Sequence, residues 1–100
     1  MSDGPSVSHL EYSLPRELDL LAAEDLKEKM LEFLLQDGGL ILDATEVERI
    51  STPCIEVLFA AGIAFGETGR NFRIDNPSLY FNDALTTLGL DDHFQCWRTS

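Results

Sequence analysis

The chain has 100 residues, 44% of them hydrophobic, and a mean hydropathy of −0.06. This length suits one domain with one core, and no apolar run approaches the roughly 18 residues that cross a membrane, so we expect a single soluble domain. Eighteen acidic residues against seven basic ones give a formal charge of −11, which would repel nucleic-acid phosphates and anionic lipid and favours a basic surface on a protein partner.

The two ends of the chain and the cysteines suggest an intracellular domain. The first ten residues lack the basic start and apolar stretch of a secretory signal, so we expect a cytoplasmic protein. Residues 1–6 have little to bury and are predicted to be disordered, residues 7–96 to form the domain, and residues 97–100 to form a tail. Cys54 and Cys96 lie far apart without a CxxC spacing, so both are predicted to be reduced thiols.

The first third of the sequence predicts a strand, a helix and a second strand. Alternation of Leu10, Tyr12 and Leu14 with polar residues predicts a short edge strand, which Pro15 ends. Residues 21–36 have apolar positions at three- and four-residue spacing, typical of an amphipathic helix: Ala23, Leu26, Met30, Phe33 and Leu34. The run "LILDA" then predicts a strand buried on both faces.

The remaining sequence predicts a helix, a strand and a last helix. Pro53 suits the first position of a helix and makes Thr52 its N-cap. The apolar face of this helix is predicted to contain Ile55, Leu58, Phe59 and Ile63, with its end near Gly66 or Gly69. "NFRID" predicts a strand, and Phe81, Leu85 and Leu88 a helix stopped by Gly89. Alternating strands and helices indicate the α/β class.

No catalytic, metal or cofactor motif is present. His9 and His93 lie near opposite ends, and neither GxxxxGK[ST] nor GxGxxG occurs, so we expect no catalytic residues and no cofactor. "DDHFQC" at residues 91–96 offers ligand atoms, but no second cluster completes a coordination set. We expect a solvated tail there and no metal.

Two alternatives remain open from the residues alone. Asp43, Glu46 and Glu48 follow a predicted strand, where open α/β sheets commonly bind ligands, so a small-ligand carrier or an acid-base enzyme is one alternative. Cys54 lies at a predicted helix N-terminus, which stabilises a thiolate, so redox sensing is the other.

Ser51 and Thr52 allow two interpretations. A phosphate on the cap residue would face the N–H groups and the positive end of the helix dipole, as in a phosphorylation switch. A threonine before a proline is also an ordinary helix start.

Three segments together resemble one known family: "LPRELDLLAAEDLKEKMLEFL", "LILDATEVERISTPCIEVLFAAG" and "NFRIDNPSLYFNDALTTLGLDDHF". They resemble the STAS domains of anti-sigma factor antagonists, and the likeness covers about residues 10–94. The resemblance implies a mixed β-sheet flanked by helices. It also implies an N-terminal hairpin, which is shortened in this chain.

The resemblance also implies a site. In such domains a "DSSG"-like loop joins a buried strand to a helix, and a partner kinase phosphorylates its first serine. Aligned with that pattern, Ser51 takes the place of the aspartate, Thr52 of the phosphoacceptor, Pro53 of the second serine and Cys54 of the glycine. Thr52 is therefore the phosphorylation candidate, with Ser51 as the weaker one.

The stretch "VERISTPCIEVLFAA" further resembles a bacterial STAS subgroup encoded beside chemotaxis genes, whose members are thought to bind a histidine kinase. We therefore expect a non-enzymatic signalling module that binds an anti-sigma factor, a protein kinase or a chemotaxis histidine kinase. Its predicted contact surface is the loop and helix from Ser51 to Gly66. The residues predicted to bind the partner are Ser51, Thr52, Pro53, Cys54 and Glu56.

Overall fold

The computed structural model describes residues 9–99. Its strands are β1 (His9–Ser13), β2 (Glu17–Leu18), β3 (Gly39–Asp43), β4 (Arg49–Ile50), β5 (Phe72–Asp75) and β6 (Arg98–Thr99). Its helices are α1 (Ala22–Leu34), α2 (Thr52–Glu67), α3 (Leu79–Thr87) and α4 (Asp91–Phe94). The predicted disordered segment, residues 1–6, and any hairpin strand before β1 lie outside the described residues.

Four strands form one sheet in the order β1-β3-β5-β6, and β2 pairs with β4 in a separate two-stranded sheet. The predicted α/β class, a sheet flanked by helices, is confirmed. The sequence predicts a mixed sheet, whereas every pairing between the described strands is parallel. Among the described residues β1 pairs only with β3, so it occupies the predicted edge position.

One face of the sheet is buried and the other is open. Each new strand of the main sheet is added on the same side, so right-handed crossovers place the intervening helices on one face. Leu40 and Leu42 of β3 point to that face and are fully buried. Ile41 is only partly buried, and the residues beside it in the sheet, Glu11 and Arg73, are exposed. β3 is therefore buried on one face, and the prediction of burial on both faces is wrong.

Helices α1 and α2 cover the buried face. Leu26 and Met30 of α1 are almost completely buried, as their spacing predicts. The buried side of α2 is centred near Leu58 and Gly62, so Ile63 falls outside it and is 45% exposed. The prediction that Ile63 belongs to the apolar face is therefore wrong. The buried residues of α2 are Cys54, Ile55, Leu58, Ala61, Gly62 and Phe65.

The C-terminal segment is part of the fold. Phe94 of α4 is fully buried, and Trp97 packs against it with ring centroids 5.2 Å apart. The Ile74 N–H donates to the Trp97 carbonyl at 2.7 Å, and the Arg98 guanidinium lies 3.3 Å from the Asp91 carboxylate. The prediction of a solvated segment at residues 91–96 is thus corrected, and so is that of a tail over residues 97–99, because aromatic burial and strand pairing hold this segment in place. The last residue of the predicted tail lies outside the described residues.

Two glycines of α2 provide a test of this C-terminal packing. A Cβ added to Gly62 would overlap the Trp97 ring, while one added to Gly66 meets nothing within 4 Å. We expect Gly62→Ala to destabilise the protein by about 1–3 kcal/mol through overpacking. Gly66→Ala, the matched control, should be neutral or stabilise by up to about 1 kcal/mol through helix propensity.

Thermal unfolding followed by Trp97 fluorescence measures both effects. The Gly62→Ala variant should unfold at the lower temperature and have a shifted emission spectrum. Equal unfolding temperatures for the two variants would contradict the packing of Trp97 on α2.

Candidate functional site

The two candidate phosphorylation residues, Ser51 and Thr52, lie at the start of α2. Ser51 is the N-cap, with an extended backbone (φ −86°, ψ 160°), and its carbonyl accepts the first helical hydrogen bond from the Ile55 N–H at 3.1 Å. Thr52 and Pro53 are the first two helical residues, so the helix begins one residue earlier than predicted. Thr52 is not the cap, and its side chain is exposed.

Among residues 9–99, no side chain caps this helix end. Ser51 Oγ makes no capping hydrogen bond, and this atom is buried without a hydrogen-bond partner in the described part of the chain. Pro53 contributes no N–H, which removes one of the usual donors for a cap. The first turn also contains no acidic residue, so no side chain offsets the positive end of the helix dipole.

The small sheet of β2 and β4 holds the first turn of α2 in position. The Ser51 N–H donates to the Leu18 carbonyl at 2.7 Å, which joins the end of β4 to β2. The Cys54 thiol donates to the Asp19 carbonyl at 3.3 Å. Sequence patterns miss this sheet because two-residue strands are too short for a detectable alternation.

Cys54 lies beneath the surface. Its exposed fraction is 0%, and it belongs to the same core as Ile55 and Leu58. We therefore leave Cys54 out of the binding surface, because a partner cannot contact it without unfolding the first turn of α2. The same burial shields the thiol from oxidants, which argues against redox sensing at this position.

Five residues near this turn are here called the α2 N-terminal surface: Leu20, Leu21, Thr52, Pro53 and Glu56. Leu20 and Leu21 are 69% and 87% exposed and directly follow Asp19, whose carbonyl contacts Cys54. Thr52 and Glu56 are exposed, and Pro53 is half-buried. Of the five residues predicted to bind a partner, Thr52, Pro53 and Glu56 thus share one surface, with Ser51 at its edge. The sequence prediction did not include the exposed Leu20 and Leu21, although two adjacent leucines before a polar helix start are visible in the sequence.

The three carboxylates that the sequence offers for ligand binding or acid-base chemistry, Asp43, Glu46 and Glu48, are each held by a local partner or exposed. Asp43 accepts hydrogen bonds from the Thr45 amide and hydroxyl, and Glu48 lies 3.5 Å from the Arg16 guanidinium. Glu46 is exposed. Each carboxylate is thus either paired locally or solvated, an arrangement that does not favour acid-base catalysis.

Other titratable groups are likewise held in local pairs. Asp75 accepts a 2.7 Å hydrogen bond from Arg73 and so raises the pKa of that guanidinium. Asp91 accepts from the Thr86 hydroxyl at 2.7 Å. Within residues 9–99, no group of three or more His, Cys, Asp or Glu side chains could hold a metal ion.

The family model described as "Mlab, STAS domain" matches residues 8–95. The chain belongs to the STAS domain family. A sulfate transporter family protein from Wolinella succinogenes has a similar fold, with a TM-score of 0.73 and 15% identity over 94% of this chain and 80% of its own. The anti-sigma factor antagonist SpoIIAA in its unphosphorylated form is also similar, with a TM-score of 0.72 and 16% identity over 95% of this chain and 83% of its own.

No curated protein sequence matches this STAS chain. At 15% and 16% identity, the two solved structures establish the shared fold alone. In the described part of the chain, no helix has both the length and the apolar character that crossing a bilayer requires.

The two cysteines should differ in reactivity. Cys54 is buried and Cys96 is exposed, so a thiol reagent added to the native protein should modify Cys96 quickly and Cys54 only on unfolding. Ellman's reagent with and without denaturant measures this. In Cys96→Ser the fast phase should disappear, and a fast phase that persists in that variant would contradict the burial of Cys54.

Proposed function

We propose that this STAS protein is a non-enzymatic regulatory module of bacterial signal transduction, which binds a signalling protein through its α2 N-terminal surface. The observation that carries the proposal is the exposure of Leu20, Leu21 and Thr52 around a helix start that is rigidly held from below. Exposed leucines gain free energy when a partner covers them, since each buries apolar surface on binding.

The underlying packing supports a surface that keeps its shape. Cys54 and Ile55 are buried directly beneath Thr52 and Pro53, and the β2–β4 pairing holds Ser51. A preorganised surface loses little conformational entropy when a partner binds. Asp43 and Glu48 each have a local partner, Thr45 and Arg16 respectively, which is the reason for preferring binding to acid-base catalysis.

We infer that the partner is an anti-sigma factor or a histidine kinase. The resemblance of "VERISTPCIEVLFAA" to STAS proteins encoded beside chemotaxis genes favours a chemotaxis histidine kinase. The likeness to an anti-sigma factor antagonist supports the first class. The charge of −11 suits either partner if its docking surface is basic.

A second candidate is that phosphorylation of Thr52 switches this binding. The Thr52 hydroxyl is exposed on an uncapped helix start whose first turn contains no acidic residue, so the helix dipole favours a phosphate there, although Glu56 one turn later repels it. The description of SpoIIAA as an unphosphorylated form is consistent with such a switch. The alternative is constitutive binding, in which the partner recognises only the shape of the surface and Thr52 is not modified.

We expect Thr52→Glu to weaken partner binding by about 1–3 kcal/mol, or roughly 5- to 150-fold, if the switch operates. Thr52→Val should bind like the wild type whether or not the switch operates, because valine keeps the shape of the threonine side chain. Thr87→Glu is the matched control, since Thr87 is an exposed threonine at the far end of α3.

The measurement is a pull-down from host lysate with the four baits, quantified by mass spectrometry. Loss of an anti-sigma factor or histidine kinase from the Thr52→Glu bait alone would support the switch. Equal recovery of such a protein on all baits would leave constitutive binding as the function. Recovery of no signalling protein on the wild-type bait would argue against both.

A further inference from the structure

A second surface runs along the side of the helical layer. Between α1 and α2 lies an open cleft of about 510 Å³, here called the α1–α2 groove. Nine of the twelve residues that line it are apolar, among them Leu31, Val57, Ala60 and Ala64. The proposed function does not use this groove, which meets the α2 N-terminal surface only at Pro53 and Glu56.

Small side chains on α2 make the surface concave. Ala60, Ala61 and Ala64 contribute one methyl group each, while Leu31 rises on the opposite wall and is 50% exposed. Leu35 follows Leu31 by one helical turn and is 89% exposed, so it continues the same apolar side. A concave apolar surface with exposed leucines on one wall is typical of a docking site.

The groove has the dimensions of a helix site. The residues that line it extend along α1 from Ala23 to Leu34 and along α2 from Pro53 to Ala64. Eleven residues of helical rise give a length of about 17 Å, which is about three turns of a bound helix. Small residues on one wall allow a third helix to approach closely and pack its larger side chains between the two.

The negative charge around the α1–α2 groove favours some occupants over others. Helices α1 and α2 carry six carboxylates and only two lysines, and the groove lining itself contains Glu24 and Glu56 against one lysine, Lys27. Two copies of the chain would repel each other, since each carries a charge of −11. An anionic membrane would be repelled for the same reason. Basic residues on the bound segment would instead be attracted to the net negative charge of the two helices.

We propose that the α1–α2 groove binds an amphipathic helix of a protein partner, whose apolar stripe enters the groove and whose lysine or arginine residues flank that stripe. The proposal rests on the proposed function in that the natural occupant belongs to a protein partner. It differs from the proposed function in the surface used, which is the α1–α2 groove. It also specifies the bound segment as an amphipathic helix with basic residues.

The test uses synthetic 18-residue helical peptides and ¹⁵N-labelled protein. One peptide has leucines at i, i+3, i+4 and i+7 with lysines flanking them, the second has glutamates in place of the lysines, and the third has the first composition in scrambled order. The first should bind at least about tenfold more tightly than either other peptide, as measured by fluorescence anisotropy. Its binding should shift the amide resonances of Leu31, Val57, Ala60 and Ala64.

Two variants with the same charge change separate groove binding from general attraction to an acidic protein. Ala60→Arg places bulk and positive charge in the groove at an exposed position and should weaken binding of the first peptide by at least about tenfold. Thr87→Arg, on α3, should leave its affinity within about twofold. Equal loss in the two variants, or equal affinity of the ordered and scrambled lysine peptides, would overturn the proposal.

Other occupants would give different results. A concentration-dependent dimer whose formation shifts the groove resonances would overturn the proposal in favour of a second copy. Binding to phosphatidylcholine vesicles that Ala60→Arg abolishes would overturn it in favour of lipid. If no peptide shifts the groove while Thr52→Glu still loses its signalling partner from lysate, the groove proposal fails and the proposed function stands.

Discussion

The direction in which the parallel sheet is built determines most of this structure. Because the strands follow in the order β1-β3-β5-β6, each crossover moves the same way across the sheet. Right-handed crossovers then place the connecting helices on one face and leave the other open. The same constraint sets α1 beside α2, which creates the groove between them.

Helix α2 has two different sides as a result. Its inner side supplies Cys54, Ile55, Leu58 and Phe65 to the core, and its outer side presents Thr52 and Glu56. Its first turn is fixed at the inner side by burial and by the hydrogen bonds to β2, so the outer side is presented in a defined geometry. The residues of α2 that stabilise the fold thus differ from those proposed to bind a partner, so substitutions on the outer side should have only small effects on folding.

Much of the fold could be predicted from the sequence, because long periodic segments encode their own burial. The spacing of Leu26 and Met30, the run at Leu40 and the alternation at Phe72 each indicate an element that the structure contains. The β2–β4 sheet could not be predicted, since its pairing is made by tertiary contact between two short segments. The C-terminal segment was misjudged because its polar composition hides Phe94, whose burial depends on neighbouring aromatic rings.

The candidate site was only partly predictable. The hydroxyl pair and proline predicted the start of α2 to within one residue, and that one-residue difference makes Ser51 the cap and leaves the Thr52 side chain exposed. Cys54 is buried because it lies on the side of α2 that faces β2, and the local sequence does not specify which side that is. The groove could not be predicted either, because alanines on a helix give no sign of whether a neighbouring helix fills the space beside them.

The central claim, that the α2 N-terminal surface contacts a signalling protein, is tested most directly by photo-crosslinking in cells. A photoreactive amino acid would replace Glu56 on this surface or, in a separate strain, Glu11 on the open face of the sheet, both of which are exposed. The account predicts an adduct with an anti-sigma factor or a histidine kinase from position 56 and none from position 11. An adduct with such a protein from position 11 alone would contradict it.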